Sequence, residues 1–229
     1  MSLLTLRQLS YRWPGSERTL SVPALTLAAG ERAMLRGSSG SGKSTLLNLI
    51  SGVLKPDSGS LTLAGEALTT LSAGKRDRLR AETMGIVFQQ FNLLPYLSVR
   101  QNILLPLKFA PGRRAKVVEP EIEVRRLLDA MELDAGILDR PVTALSVGQQ
   151  QRVAVARALI GAPALILADE PTSALDPSAR DHFMDLLAKQ CHQTGSALLL
   201  VSHDPALARV VERQYQLQLH DSGSEVLPC

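Results

Sequence analysis

Four short apolar runs constrain this chain more than any other feature, because each one ends on a residue with chemical potential. Ala33-Met34-Leu35 leads through Arg36 to Gly37, and Met84-Gly85-Ile86-Val87-Phe88 leads into Gln89. Leu165-Ile166-Leu167-Ala168 leads into Asp169 and Glu170, and Ala197 to Val201 leads through Ser202 into His203. Runs this short and continuous suit parallel strands buried on both faces. In open α/β sheets, ligands lie beyond the carboxyl ends of the strands. The pattern therefore predicts one crevice that gathers Gly37, Gln89, Glu170 and His203.

Helical patterns fill the intervals. Leu46, Leu47, Ile50, Val53 and Leu54 form one apolar face, stopped by Pro56. Residues 146–160 form a second, with Val153, Val155, Ala156 and Leu159 on its apolar side. Asp176-Pro177 opens a third, Asp as N-cap and Pro at the first helical position. The first 30 or so residues and the segment Ser60 to Leu63 read as short antiparallel strands. The mostly helical stretch between Gln89 and Ser146, including Val118 to Met131, is expected to be a small subdomain inserted into the core over roughly residues 93–145. A chain of 229 residues holds one sizeable core and not two catalytic domains of ordinary size, so residues 1–229 are expected to form a single domain.

Composition narrows the partners. Lys plus Arg exceed Asp plus Glu by 25 to 22, too small an excess to point to nucleic acid, though compatible with a position near an anionic membrane face. No run approaches the roughly 20 apolar residues of a membrane helix. The start, MSLLTLRQLSYRWPG, lacks the apolar stretch of a signal peptide. A soluble protein is expected, whose membrane role, if it has one, requires a partner chain. Cys191 and Cys229 lack metal-ligand spacing and read as a half-buried thiol and a tail thiol.

Gly37-Ser38-Ser39-Gly40-Ser41-Gly42-Lys43-Ser44-Thr45 fits GxxxxGK[ST], with a strand before it and a helix after it. The glycines let backbone N–H groups curl around phosphate oxygens, and the helix N-terminus adds its positive dipole end. Lys43 is then placed to reach the β and γ phosphates, and the Ser44 hydroxyl to ligate Mg²⁺. Without its flanking elements the same segment would be a Gly/Ser linker. Asp169 and Glu170 supply adjacent carboxylates at a strand end. Alone they would be solvated acids; downstream of a phosphate loop, Asp169 suits Mg²⁺, through water, and Glu170 suits general-base activation of a water.

Leu145-Ser146-Val147-Gly148-Gln149-Gln150-Gln151-Arg152 precedes the Asp–Glu strand and resembles the LSGGQ signature of ABC ATPases. The resemblance covers essentially the whole chain. It implies an α/β fold: a P-loop NTPase core with a mostly parallel sheet, an N-terminal antiparallel β-subdomain and an inserted helical subdomain. It further implies that Gln89 is the Q-loop glutamine, shared between catalysis and Mg²⁺, and that Ser173-Ala174-Leu175-Asp176 is the D-loop. His203 becomes the switch histidine, and Lys43, Gln89, Glu170 and His203 the catalytic set. Two subunits are expected to face each other as a homodimer. Each ATP then lies between the phosphate loop of one and Ser146, Gly148 and Gln149 of the other, with Asp176 close by.

Val147 departs from the family pattern, which has glycine there. Ser146 reads as an N-cap and Ser146-x-x-Gln149 as a capping box, so Val147 becomes the first helical residue and needs no glycine. Tyr11 stands where the family places an aromatic that stacks on adenine; packing of a strand edge is the alternative. Trp13, before Pro14-Gly15, reads as a turn residue. His182, His192 and His220 carry no special expectation, and the basic clusters Lys75 to Arg80 and Arg113 to Lys116 read as solvated faces. The tail after His220 reads as a loose end.

The segment Val87 to Asn102, followed by Leu104-Leu105-Pro106-Leu107, resembles the branch of lipoprotein-release, macrolide-export and cell-division ABC ATPases. That resemblance implies a separate transmembrane permease subunit and a place at the cytoplasmic face of the inner membrane. Phe91, Leu94, Tyr96 and Leu97 are the expected docking surface, with packing of the helical subdomain onto the core as the alternative. Three rivals remain at this stage. A soluble ABC ATPase of ribosomes or DNA would carry two cassettes or long coiled coils, whereas only 57 positions separate Gln89 from Ser146. A scaffold without turnover would not need Glu170 and His203. A small-molecule kinase has no use for the signature.

Overall fold

The computed structural model describes residues 2–173 and 175–229. The chain begins with β1 (Ser2–Arg12), β2 (Thr19–Ala28) and β3 (Arg32–Gly37), followed by α1 (Lys43–Ile50), β4 (Ser58–Leu63) and β5 (Glu66–Ala67). Then come α2 (Ala73–Thr83), β6 (Met84–Val87), α3 (Val99–Leu104), α4 (Pro111–Ala115) and α5 (Pro120–Ala130). The second half holds α6 (Val147–Leu159), β7 (Leu165–Asp169), α7 (Pro177–Thr194), β8 (Ala197–Val201), β9 (Arg213–His220) and β10 (Gly223–Pro228).

The strands form one sheet in the order β5-β4-β1-β2-β10-β9-β3-β8-β7-β6. All four apolar runs are strands, and β3, β8, β7 and β6 lie side by side and parallel. Along β7 and β8 the side chains alternate between two cores. Ile166, Ala168, Leu198 and Leu200 join a core with α5, α6 and α7, while Leu165, Leu167, Leu199 and Val201 join one with α1 and the N-terminal strands. Burial on both faces explains why these runs are continuous rather than alternating.

The antiparallel N-terminal strands are present: β1 pairs with β2 and with β4. They do not stand apart from the core. The tail forms β10, antiparallel to β9 and parallel to β2, and so stitches the N-terminal strands into the main sheet. The expectation of a loose tail is corrected here. Gly223 through Pro228 carry buried Val226 and Ser224 and fill the gap between two strands whose backbone groups would otherwise lack partners. Between β6 and α6 the chain is mostly helical, as expected, with α3 packed on α6 and α5.

Candidate nucleotide-binding and hydrolysis site

The phosphate loop joins β3 to α1. Gly42, the N-cap residue of α1, has φ +98°, and a Cβ there would lie 3.0 Å from the Trp13 ring. Strain and crowding together demand glycine. Lys43 Nζ donates to the carbonyls of Gly37 and Ser38, each at 2.9 Å, which folds its ammonium back over the loop. Gly37 and Ser41 lie buried beneath, and the Ser41 hydroxyl has no hydrogen-bond partner among the described residues.

A cleft of about 660 Å³ opens above this loop. Ser38, Ser39, Gly40, Gly42, Lys43, Ser44 and Thr45 line one side, and Gln89, Asp169, Glu170, Ser173 and His203 the other. The crevice expected from the strand ends is therefore present, with Gly37 serving as its buried floor. Ser44 Oγ donates to Asp169 Oδ2 at 3.4 Å, so the two oxygens assigned to Mg²⁺ converge. Burial, and then the neighbouring Glu170, raise the Asp169 carboxyl above its usual range.

Glu170 has φ +44°, a left-handed conformation that a non-glycine residue adopts at a cost. Its N–H donates to Val201 O at 2.8 Å. Its carboxylate sits between Ser202 Oγ at 3.2 Å and His203 Nδ1 at 3.0 Å, with Lys43 Nζ 3.9 Å away. Ammonium, imidazole and carboxylate thus share one small volume.

The signature residues lie elsewhere. Ser146 caps α6: its Oγ accepts from Gln149 N–H at 3.3 Å, and Gln149 Oε1 accepts from Ser146 N–H at 3.0 Å. The capping box is the one expected, and Val147 is the first helical residue, 56% exposed. Neither Ser146, Gly148 nor Gln149 lines the chain's own cleft. Asp176 caps α7 through bonds from the Ser178 and Ala179 N–H groups, and it too stays outside the cleft. Ala174 of the expected D-loop lies outside the described residues.

The sequence profile of the ABC transporter family matches residues 20–173. This chain belongs to the ABC transporter ATP-binding family. It is 44% identical over 202 residues to the lipoprotein-releasing system ATP-binding protein LolD of Hydrogenovibrio crunogenus, covering 88% of this chain and 85% of that protein. It is 36% identical over 232 residues to the macrolide export ATP-binding/permease protein MacB of Photorhabdus laumondii, where 98% of this chain matches only 35% of the longer relative. The dimeric post-hydrolysis structure of the ATP-binding cassette MJ0796 bound to ADP and Pi superimposes with a TM-score of 0.81 at 34% identity, covering 94% of each chain. The chain is an ATP-binding and ATP-hydrolysing cassette of this family, on the LolD/MacB branch.

Within the ABC cassette, several residues differ from what the sequence suggested. Trp13 opens the expected turn, its carbonyl accepting from Ser16 N–H at 3.1 Å, and it is also a cleft residue whose Nε1 donates to Thr45 Oγ1 at 3.0 Å. Tyr11 meets Trp13 edge to face, ring centroids 6.3 Å apart, and is absent from the cleft lining. Arg113 is not on a solvated face but 2% exposed, donating to the carbonyls of Met84, Ala158 and Ile160. Arg76 and Arg80 also turn inward, to the carbonyls of Gly52, Leu71 and Ser51. Cys191 is fully buried, and its thiol is pushed up to about 12 by burial.

The expected docking residues divide. Tyr96 is exposed, but Phe91, Leu94 and Leu97 are half-buried. Buried Asn102 exchanges hydrogen bonds with Leu94 and donates to Leu97 O, drawing this loop onto α3. An apolar groove of about 630 Å³ lies beside it, lined by Phe88, Asn92, Leu105, Pro106, Phe109 and Arg157, among others.

Proposed function

We propose that this ABC ATPase works as a homodimer around two ATP molecules and drives a separate transmembrane permease from the cytoplasmic face of the inner membrane. The observation that carries the proposal is the division of the motifs. The cleft collects the phosphate loop, Gln89, Asp169, Glu170 and His203, while Ser146, Gly148 and Gln149 stand outside it at the end of an exposed helix cap. A second copy, turned head to tail, would present its signature to this cleft and its Asp176 region alongside. The dimeric structures of MJ0796 support that arrangement.

In this reading the loop amides from Gly37 to Thr45 and the Lys43 ammonium hold the β and γ phosphates, and Lys43 exchanges its carbonyl acceptors for phosphate oxygens. Tyr11, behind Trp13, supports the adenine, with Trp13 forming the wall of the cleft. Ser44, Asp169 and Gln89 offer the hard oxygens that suit Mg²⁺. A cation held by these residues would supply charge neutralisation to the phosphates. Glu170 accepts a proton from the attacking water, whose oxygen bonds the γ phosphorus as the bond to the bridging oxygen breaks and ADP departs. His203 is 68% exposed on the rim of the cleft and is free to turn from Glu170 towards the γ phosphate.

No helix among the described residues is long and apolar enough to cross a membrane. The apolar groove between the sheet and the helical insertion supports docking of a permease segment. It adjoins Gln89 in sequence through Phe88, so movement at the nucleotide is felt at the groove. Glu170→Gln, close in shape to the native residue, is expected to lower turnover at least about a hundredfold while ATP still binds. Lys43→Ala is expected to weaken ATP binding itself. Steady-state turnover and nucleotide binding measured on both variants test the assignment, and near-native turnover in Glu170→Gln would reject it.

A further inference from the structure

Glu170 is held by two hydrogen-bond donors of very different character. His203 stands on the rim and is able to leave. Ser202 is 1% exposed and is not. Its backbone N–H donates to Leu35 O at 3.2 Å, which fastens it to the strand feeding the phosphate loop. Its Oγ accepts from Asp204 N–H at 3.1 Å and donates to Glu170 Oε2 at 3.2 Å.

His203 Nδ1 reaches both carboxylate oxygens, Oε1 at 3.0 Å and Oε2 at 3.1 Å, so it is Ser202 that makes them unequal. Oε2 is tied to a buried hydroxyl. Oε1 is the oxygen 3.9 Å from Lys43 Nζ, on the side of the cleft where phosphate is expected. The backbone cooperates, since Glu170 N–H is bonded to Val201 O and its φ is left-handed, so main chain and side chain are both pinned to the end of β8.

We propose that Ser202 is a positioning residue for the base: its hydroxyl fixes Oε2 of Glu170 so that Oε1 alone is presented to the attacking water once His203 has turned away. This rests on the reading of Glu170 as the base. A carboxylate freed to rotate about its terminal torsion spends less time in the reactive orientation, and well-oriented groups account for a large share of catalytic rate.

The test compares wild type, Ser202→Ala, Ser202→Thr, Glu170→Gln and the Ser202→Ala/Glu170→Gln pair, as full-length protein. Turnover, KM for ATP, melting temperature and the ATP-dependent dimer fraction are measured. Ser202→Ala is expected to lose about ten- to a hundredfold in kcat, the size of one hydrogen bond to a charged group. KM is expected to stay within about twofold, because binding groups are untouched. Slower hydrolysis raises the ATP-bound dimer fraction, a change that simple loss of structure would reverse. Threonine keeps the hydroxyl and is expected to restore most of kcat. The double variant is expected to turn over no more slowly than Glu170→Gln. Should alanine fail to fold, Ser202→Cys, near-isosteric with a weak S–H donor, carries the same expectation. Wild-type kcat in Ser202→Ala beside an inactive Glu170→Gln overturns the proposal and leaves the base in place. A loss of kcat matched by lost ATP affinity and fewer dimers shows a structural role and also overturns it. An active Glu170→Gln removes the base and the proposal together.

Discussion

Arg113 donates to carbonyls from two separate places in the chain, Met84 and the Ala158/Ile160 end of α6, and its own N–H donates to Glu82 Oε2 at 3.2 Å. No carboxylate among the described residues forms an ion pair with its guanidinium, and burial pulls it down to about 10. It fastens the helical insertion to the sheet edge and to the end of α6. Arg113→Ala strands these carbonyls and is expected to cost about 3 kcal/mol, lowering the melting temperature by roughly 6–12 °C. Arg113→Lys is expected to recover little, since an ammonium lacks the planar fork. A melting curve decides the matter, and an unchanged midpoint would refute the rivet role. Val147→Gly sits at the opposite extreme. The position is exposed and already capped, so the change is expected to cost less than about 1 kcal/mol in the same melt and to keep ATPase activity, whereas a larger loss would move the helix start. The capping box is legible in sequence because its partners are three residues apart. Arg113 is not, because nothing local distinguishes it from Arg114 and its acceptors meet only when the chain folds.

At the scale of elements, α6 joins three functional regions. Its N-cap presents the signature, Gln151 donates to the carbonyl of Pro171 just after Glu170, and Arg157 donates to Phe91 O and Asn92 O, each at 2.6 Å. Phe91 and Asn92 are both left-handed, so Arg157 holds a strained turn directly beyond Gln89. That turn forms one end of the groove where Phe109 is exposed. Phe109→Ser is expected to leave melting and basal ATPase activity as in wild type but to release the proposed permease in co-purification. Leu94→Ser, at a half-buried site whose backbone Asn102 holds, is expected instead to lower the melting temperature. Retained permease binding in Phe109→Ser would place the docking surface elsewhere. The sequence marks an apolar segment after Gln89 but not which of its residues face outward, because that depends on Asn102 reaching back to Leu94. The same limit applies to β10: its six residues alternate too weakly to announce a strand, and only the gap between β2 and β9 makes them one.

The ten-stranded sheet carries the candidate site at the carboxyl ends of β3, β6, β7 and β8. The strand ends bring Lys43, Gln89, Asp169, Glu170 and His203 together, and this much is readable in sequence because each run stops at its functional residue. Trp13 joins the cleft, and buried Ser202 reaches Glu170, through tertiary contacts that no motif records. What the single chain lacks is a signature facing its own cleft. A Cβ added to Gly148 meets nothing within 4 Å, so a larger residue there has room in the monomer and is expected to interfere only with a partner's nucleotide. The most direct test is therefore sedimentation of Glu170→Gln with and without ATP, alongside Gly148→Val/Glu170→Gln. Glu170→Gln is expected to sediment as a dimer with ATP and as a monomer without it. The double variant is expected to melt as the single one does and to bind ATP, yet to remain monomeric. A Glu170→Gln protein that stays monomeric with ATP, or a double variant that dimerises equally well, would contradict a site built from two chains.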